Sequence, residues 1–443
     1  LQANSKLKRN FKIKFSQTMK LKSNLILAAV FGAFAVLSTS CTKEEGCTDP
    51  TATNYDADAE DDDGSCVYPT PAENEVVLTS NVTTDTEWTS DNVYILASRV
   101  TVVDGVTLTI QPGTIIKGQE GSGVDATALL VARGGTLIAE GEATAPIIFT
   151  SEADNITPEQ VANGNFVGSN LNATNNGYWG GVIVLGKAPI SASNDNGDVS
   201  EVQIEGIPTS DQNGLYGGNQ PNDNSGILRY ISIRHGGTNI GSGNEINGLT
   251  LGGVGSGTTI DHIEVVANQD DGVEWFGGTV NASNIVVWNC GDDGLDTDQS
   301  WAGTVSNFVV AGATGHCFEL DGPEGTMEAG HTLMNGTVYA TADGRTSEDL
   351  INVDDNSIVN LENVFFTGIV DGQLIRESSD EEGAIDFIDV PGVTVTNIML
   401  DLDASELENH VEGAVPAGIT AGGSGQADVS VFGWTWASAA GIF

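Results

Sequence analysis

Residues 270–296 read DDGVEWFGGTVNASNIVVWNCGDDGLD, and the stretch contains its own echo. Asp270-Asp271-Gly272-Val273-Glu274 returns as Asp292-Asp293-Gly294-Leu295-Asp296, 22 residues later. Ile263 and Val265 return at Ile285 and Val287 after 22 residues, and at Phe308 and Val310 after 23 more. The same steps carry Val273 to Leu295 to Phe318, and Glu274 to Asp296 to Glu319. Two separated stretches thus hold one register through a single insertion, as stacked repeats do. Short runs alternating apolar and polar read as strands, and strands of successive coils lie about 4.8 Å apart. Ile263, Ile285 and Phe308 then form one interior file, and Val265, Val287 and Val310 another. His262, Asn284 and Asn307, with Asn363 in the same role, form a corner file able to satisfy turn backbone groups. The expected fold is all-β, a right-handed parallel β-helix of about 22 residues per coil and roughly ten coils. A leucine-rich repeat lacks its consensus here, and a β-sandwich does not require strands that repeat in sequence.

Outside this core the same reading continues. Alternating runs occupy Val100–Val103, Val106–Ile110, Ala128–Val131, Pro146–Thr150, Gly181–Leu185 and Leu228–Ile233. The 443 residues carry 61 acidic and 16 basic side chains, a formal charge of −45. Seven of the bases fall within the first 40 residues, which hold no acid, so the remaining 403 residues carry nine bases and a net −52. A surface so acidic repels phosphate backbones, which excludes nucleic acid as a partner. With 39% hydrophobic residues and 56 glycines, short strands and turns are expected rather than disorder.

The N-terminal stretch reads as an address. Residues 1–18 precede Met19 as upstream read-through, and 19–40 form a signal peptide with Lys20 and Lys22 before an apolar run, Leu25 to Leu37. Ser38-Thr39-Ser40-Cys41 resembles the lipobox of bacterial lipoproteins, which implies lipid on Cys41. Residues 41–45 then serve as anchor and export signal, and the implied location is the outer membrane, facing outside the cell. Residues 46–68 make an Asp-rich module that Cys47 and Cys66 would close, worth about 3 kcal/mol by loop entropy. Asp56, Asp58, Asp61 and Asp63 stand near the spacing of calcium loops. The module resembles short Cys-bounded calcium modules of bacterial surface proteins; a solvated acidic stalk is the alternative. A linker and solenoid cap follow at 69–90, the β-helix at 91–400 and a C-terminal cap segment at 401–443.

Four longer segments, Val106–Lys117, Trp179–Pro189, Asp270–Thr279 and Trp434–Ser438, resemble a family of predicted bacterial surface lipoproteins with a pectin-lyase-like β-helix. The resemblance supports fold and location and implies no settled activity.

Candidate chemistry follows from the register. Glu274, Asp296 and Glu319 point outward in one file, and Phe276, Asp298 and Asp321 in the next. Carboxylates about 5 Å apart cannot all stay ionised cheaply, and oxygen-only ligands favour Ca²⁺. A solvated acidic ridge is the alternative. Asp271, Asp293 and His316 share a corner. With Asn289-x-x-Asp292-Asp293 and Gly315-His316 they are similar to the acid pairs and Gly-His motif of polygalacturonase-type hydrolases, which implies a catalytic trio. No Arg-x-Lys follows to anchor such a substrate. Arg234 is the best basic candidate, with a structural ion pair the alternative. Trp179, Trp288 and Trp301 are candidates for stacking on sugar. Cys290 and Cys317 allow either a bridge or two buried thiols. The expected function is binding of a glycan or envelope component, with a polysaccharide-degrading enzyme or a purely structural surface protein as alternatives.

Overall fold

The computed structural model describes residues 45–48, 59, 61–65, 74–240, 246–354, 356–378 and 385–443. The expectations placed on residues 1–40, Cys41, Asp56, Asp58 and Cys66 lie outside the described residues. The chain divides into Leu1–Thr70 and Pro71–Phe443. In the first unit Glu45–Gly46 pairs in parallel with Asp61–Asp62, and Cys47 is buried. Asp62 and Asp63 accept the N–H groups of Gly64 and Ser65 at 3.0 and 2.8 Å, as Asp does in tight turns. The Ser65 bond holds the Asp63 carboxyl below its usual range.

The second unit is a parallel β-helix with three faces. The third face is a nine-stranded sheet running from Arg99–Val102 through Ala128–Val131, Val182–Leu185, Leu249–Gly252, Val273–Phe276, Leu295–Asp298, Phe318–Leu320 and Ile351–Val353 to Ile375–Glu377. The other two faces merge into one sheet, because single strands such as Thr259–Val266 bend across the corner between them. The bend sits where the backbone turns left-handed, at Tyr230, His262, Asn284, Asn307, Asn335, Asn363 and Asn397. Asparagine tolerates that conformation better than other side chains. Its amide also links coils: Asn307 Nδ2 donates to Asn284 at 2.6 Å, Asn363 to Asn335 at 3.2 Å and Asn397 to Asn363 at 2.9 Å.

The interior files stand as the repeat predicts. Ile231, Ile263, Ile285, Phe308, Gly336, Val364 and Ile398 oppose one another in turn, as do Ile233, Val265, Val287, Val310, Val338, Phe366 and Leu400. Gly336 has a packing reason, since a Cβ there would strike the Phe308 ring. The stack begins at Glu75–Leu78 and ends at Ile419–Ala421, so it is longer at both ends than the expected 91–400. Short edge strands with no echo in sequence account for the difference. Residues that carry strict steps of 22 or 23 are few; later coils step by 28, 33 and 34.

Two segments lie over the outside of the stack. Ile190, Ala192, Ile204, Ile207, Tyr216 and Ile246 pack on outward residues Leu130, Ile183, Leu185 and Phe276 of the third face. The C-terminal stretch places Phe432, Trp436 and Ala437 over Val266, Val286, Trp288 and Val309. Arg234, 1% exposed, sits under this stretch. It pairs with Glu264 at 3.7 Å, donates to Ser232 and Phe166, and faces the Trp436 ring. Its role is structural. Cys290 and Cys317 are buried free thiols.

Candidate functional site

The third face carries a polar outward file. In register the file runs Ile183, Thr250, Glu274, Asp296, Glu319, Asn352 and Arg376. Three residues earlier on each coil a corner file holds Asp271, Asp293, His316 and Asp349. Each passes a backbone bond: Gly272 donates to Asp293, Gly294 to His316 and Cys317 to Asp349, at 2.9 to 3.0 Å. The side chains repeat the pattern, because Asp271 Oδ1 accepts the Asp293 N–H at 2.8 Å and Asp293 Oδ1 accepts the His316 N–H. Asp349 Oδ1 accepts the Leu374 N–H at 2.8 Å. These aspartates therefore fasten one coil to the next. Gly315 permits the close approach, since a Cβ there would meet Asp292 and Asp293.

Three sets of donor atoms lie within 4.8 Å among the described residues: Asp293, His316 and Glu319; Asp270, Asp271 and Asp292; and Asp271, Glu274 and Asp296. Glu274, Asp296 and Glu319 thus share a file as expected, and Asp271, Asp293 and His316 share a corner. Asp298 and Asp321, expected as ligands beside them, fall in none of the three sets. His316 Nδ1 stands 3.0 Å from Asp293 and 3.6 Å from Glu319, and its Nε2 lies 3.9 Å from Asp349. Arg376 Nε pairs with Asp349 at 2.6 Å, and Asn352 Nδ2 donates to Glu319 at 3.4 Å.

Burial dominates the electrostatics. It pushes the carboxyls of Asp271, Glu274 and Asp296 well above the usual range, and neighbouring carboxylates push them further. Glu319 is pushed up to about 9 by burial, helped by its bond to Asp293. At His316 burial opposes the charge, but the bond to Asp293 and the fields of Asp293, Asp349 and Glu348 outweigh it, so the imidazole titrates above its ordinary value.

The three tryptophans expected as sugar platforms are buried, which corrects that expectation. Trp179 Nε1 donates to the Arg234 carbonyl at 2.7 Å within the core. Trp301 stacks on Trp275 at 4.9 Å and donates to Val280. Trp288 does point outward, but the C-terminal stretch covers it and Trp436 meets it edge-on at 5.6 Å. Outward phase is not exposure when a later segment packs on the face.

Sequence reasoning missed Asp349, Asn352, Arg376 and Asn247. A signal existed. Asp349-Leu350-Ile351-Asn352-Val353 and Gln373-Leu374-Ile375-Arg376-Glu377 share the polar-x-apolar-polar arrangement of Asp293-Gly294-Leu295-Asp296. The longer coils hide them from a 22-residue step.

A family model described as a pectate-lyase like beta helix domain matches residues 80–167 and 161–439. The chain belongs to this family. Among solved structures, the pectin methylesterase from Aspergillus niger is similar at 14% identity, with 67% of this chain and 82% of that one covered and a TM-score of 0.29. No curated protein matches the chain.

Proposed function

We propose that this β-helix is displayed on the bacterial outer membrane by lipid on Cys41 and binds a polysaccharide at the open end of its third face. The observation that carries the reading is the row Glu319, Asn352 and Arg376, with His316 and Asp349 beside it. Its accessible members are His316, Glu319 and Arg376, with side chains 14% to 31% exposed, while Asn352 and Asp349, at 4% and 3%, brace them from below. Sugar hydroxyls both donate and accept, so a rigid row of planar polar groups fits them. Arg376 is one of only nine bases in residues 41–443; its Nε is turned to Asp349, and the rest of its planar donor fork can donate to sugar oxygens.

Binding is favoured over cleavage by the state of the aspartates. Asp271 and Asp293 are 6% and 3% exposed, and their oxygens already hold the backbone of the next coil. Asp293 and Glu319 offer oxygens within 4.8 Å, too close for the about 6.5–9.5 Å of an inverting hydrolase; a retaining one, at about 5–5.5 Å, would need Asp293 as a free nucleophile, and its Oδ1 already accepts the His316 N–H. Cleavage keeps one supporting observation, the proton that Glu319 retains at neutral pH. Calcium belongs to this reading as a stabiliser of the acidic scaffold. The test is a polysaccharide panel presented to the purified protein at fixed Ca²⁺. Retention of a ligand by the wild type, with loss of roughly tenfold in affinity for R376A, supports binding. New reducing ends or unsaturated products that disappear in E319Q would establish cleavage instead, and no retention of any polysaccharide sinks both.

A further inference from the structure

Asp271, Glu274 and Asp296 each bring an oxygen within 4.8 Å of the others, and all three are buried, at 6%, 7% and 9% exposure. The bases of this face are engaged elsewhere, His316 with Asp293 and Arg376 with Asp349. Glu205, on the covering segment, adds its negative field at Glu274. Three carboxylates in low dielectric without a counter-charge must either take up protons or hold a cation.

A second observation bears on the choice. Asn247 lies one coil below Asp271, where the Gly248 N–H donates to the Asp271 carbonyl at 3.0 Å. It is 2% exposed, and its Nδ2 donates to Glu274 Oε2. Its Oδ1 is buried and has no hydrogen-bond partner among the described residues. Buried carbonyl oxygens in native proteins are almost always satisfied. A cation neutralises the carboxylates and takes this oxygen as a ligand at once; a protonated carboxyl would satisfy it only by aiming its O–H there, and the Glu274 oxygen beside this amide meets Nδ2 instead.

We propose that Asp271, Glu274, Asp296 and the Asn247 amide oxygen hold one Ca²⁺ ion in a closed site beneath the segment carrying Ile204, Glu205 and Ile207. The ligand chemistry selects the ion. Ca²⁺ takes roughly six to eight oxygens in flexible geometry, whereas Mg²⁺ demands a near-ideal octahedron and usually keeps several waters, which a closed site does not supply. A donor set of oxygens alone disfavours zinc and copper. The ion is a staple between the third face and its cover, closed to any sugar. The inference deepens the stabilising part given to calcium under the proposed function, and stands whether or not a polysaccharide binds.

The test uses the full-length protein stripped with a chelator and titrated with CaCl₂ at pH 7. E274Q is expected to bind one ion fewer than the wild type, while E319Q, at the open end, binds the full number. N247A, which leaves every carboxylate in place, is expected to lower the affinity of that ion several-fold. Should E274Q fail to fold, the wild type still decides the matter: amide exchange in residues 186–224 is expected to slow when Ca²⁺ is added, and not when Mg²⁺ is. Unchanged exchange together with equal Ca²⁺ affinities in N247A and wild type would overturn the proposal and leave the three carboxyls protonated. Polysaccharide retention is read separately at constant Ca²⁺, so failure of one reading leaves the other intact.

Discussion

Glu319 shows how far one position can depart from its usual chemistry. A carboxyl that titrates near 9 in the fold and near 4.5 in the unfolded chain binds more protons when folded across that whole interval. Its contribution to stability is therefore intact below about pH 4.5 and lost as pH rises through about 9. In calcium-free protein the melting temperature is expected to fall between those limits, and E319Q, which cannot ionise, is expected to flatten part of that slope in a thermal melt. Gly336 illustrates packing instead of charge. A methyl there meets the Phe308 ring, so G336A is expected to cost about 1–3 kcal/mol in denaturant unfolding. Asn307 combines both demands, a left-handed backbone with φ of 56° and an amide that bonds to Asn284 and receives the Asp428 N–H. N307A is expected to lose about 1–2 kcal/mol from the backbone preference alone.

At the scale of elements, the strands of the third face do two jobs with alternate residues. Val273, Leu295 and Phe318 fill the interior while Glu274, Asp296 and Glu319 line the outside. That alternation was legible because the three coils from 263 to 310 carry only a one-residue insertion, so apolar and acidic positions recur together. The corner asparagines were legible for a related reason, since few other residues accept their backbone. Beyond Asp321 the coils lengthen, and Asp349, Asn352 and Arg376 leave the simple period although they stay in register in space. The tryptophans failed for a different cause. Strand phase tells which side a residue faces, and only tertiary packing tells what lies over that side. The C-terminal stretch over Trp288 has its own expected consequence. Deleting residues 429–443 uncovers Val286, Trp288 and Val309 and the buried Arg234–Glu264 pair. Such a truncation is expected to bind hydrophobic dyes and to self-associate, measurable by dye fluorescence and light scattering.

For the molecule as a whole, the governing quantity is a net charge of −52 over residues 41–443. A stacked fold keeps like charges in files, so repulsion accumulates along the axis and is relieved by counter-ions. Apart from the two covering segments, each coil packs on its neighbours, and stability there is close to a sum of such contacts. The third face then has a closed acidic part under its cover and an open mixed part, to which the two proposals give a stabilising cation and a polysaccharide respectively. Both assignments need the file to run unbroken from Glu274 to Arg376 through coils whose lengths differ. Cysteine pairs test that continuity most directly. E319C with N352C places the two residues opposite each other on adjacent strands, within the 4.4–6.8 Å that a disulfide spans, roughly, between Cα atoms. Oxidation of this pair to a bridge in the folded protein, with none forming in the pair D296C and N352C two coils apart, is the predicted result. A bridge in the second pair and not the first would contradict the register on which the site rests.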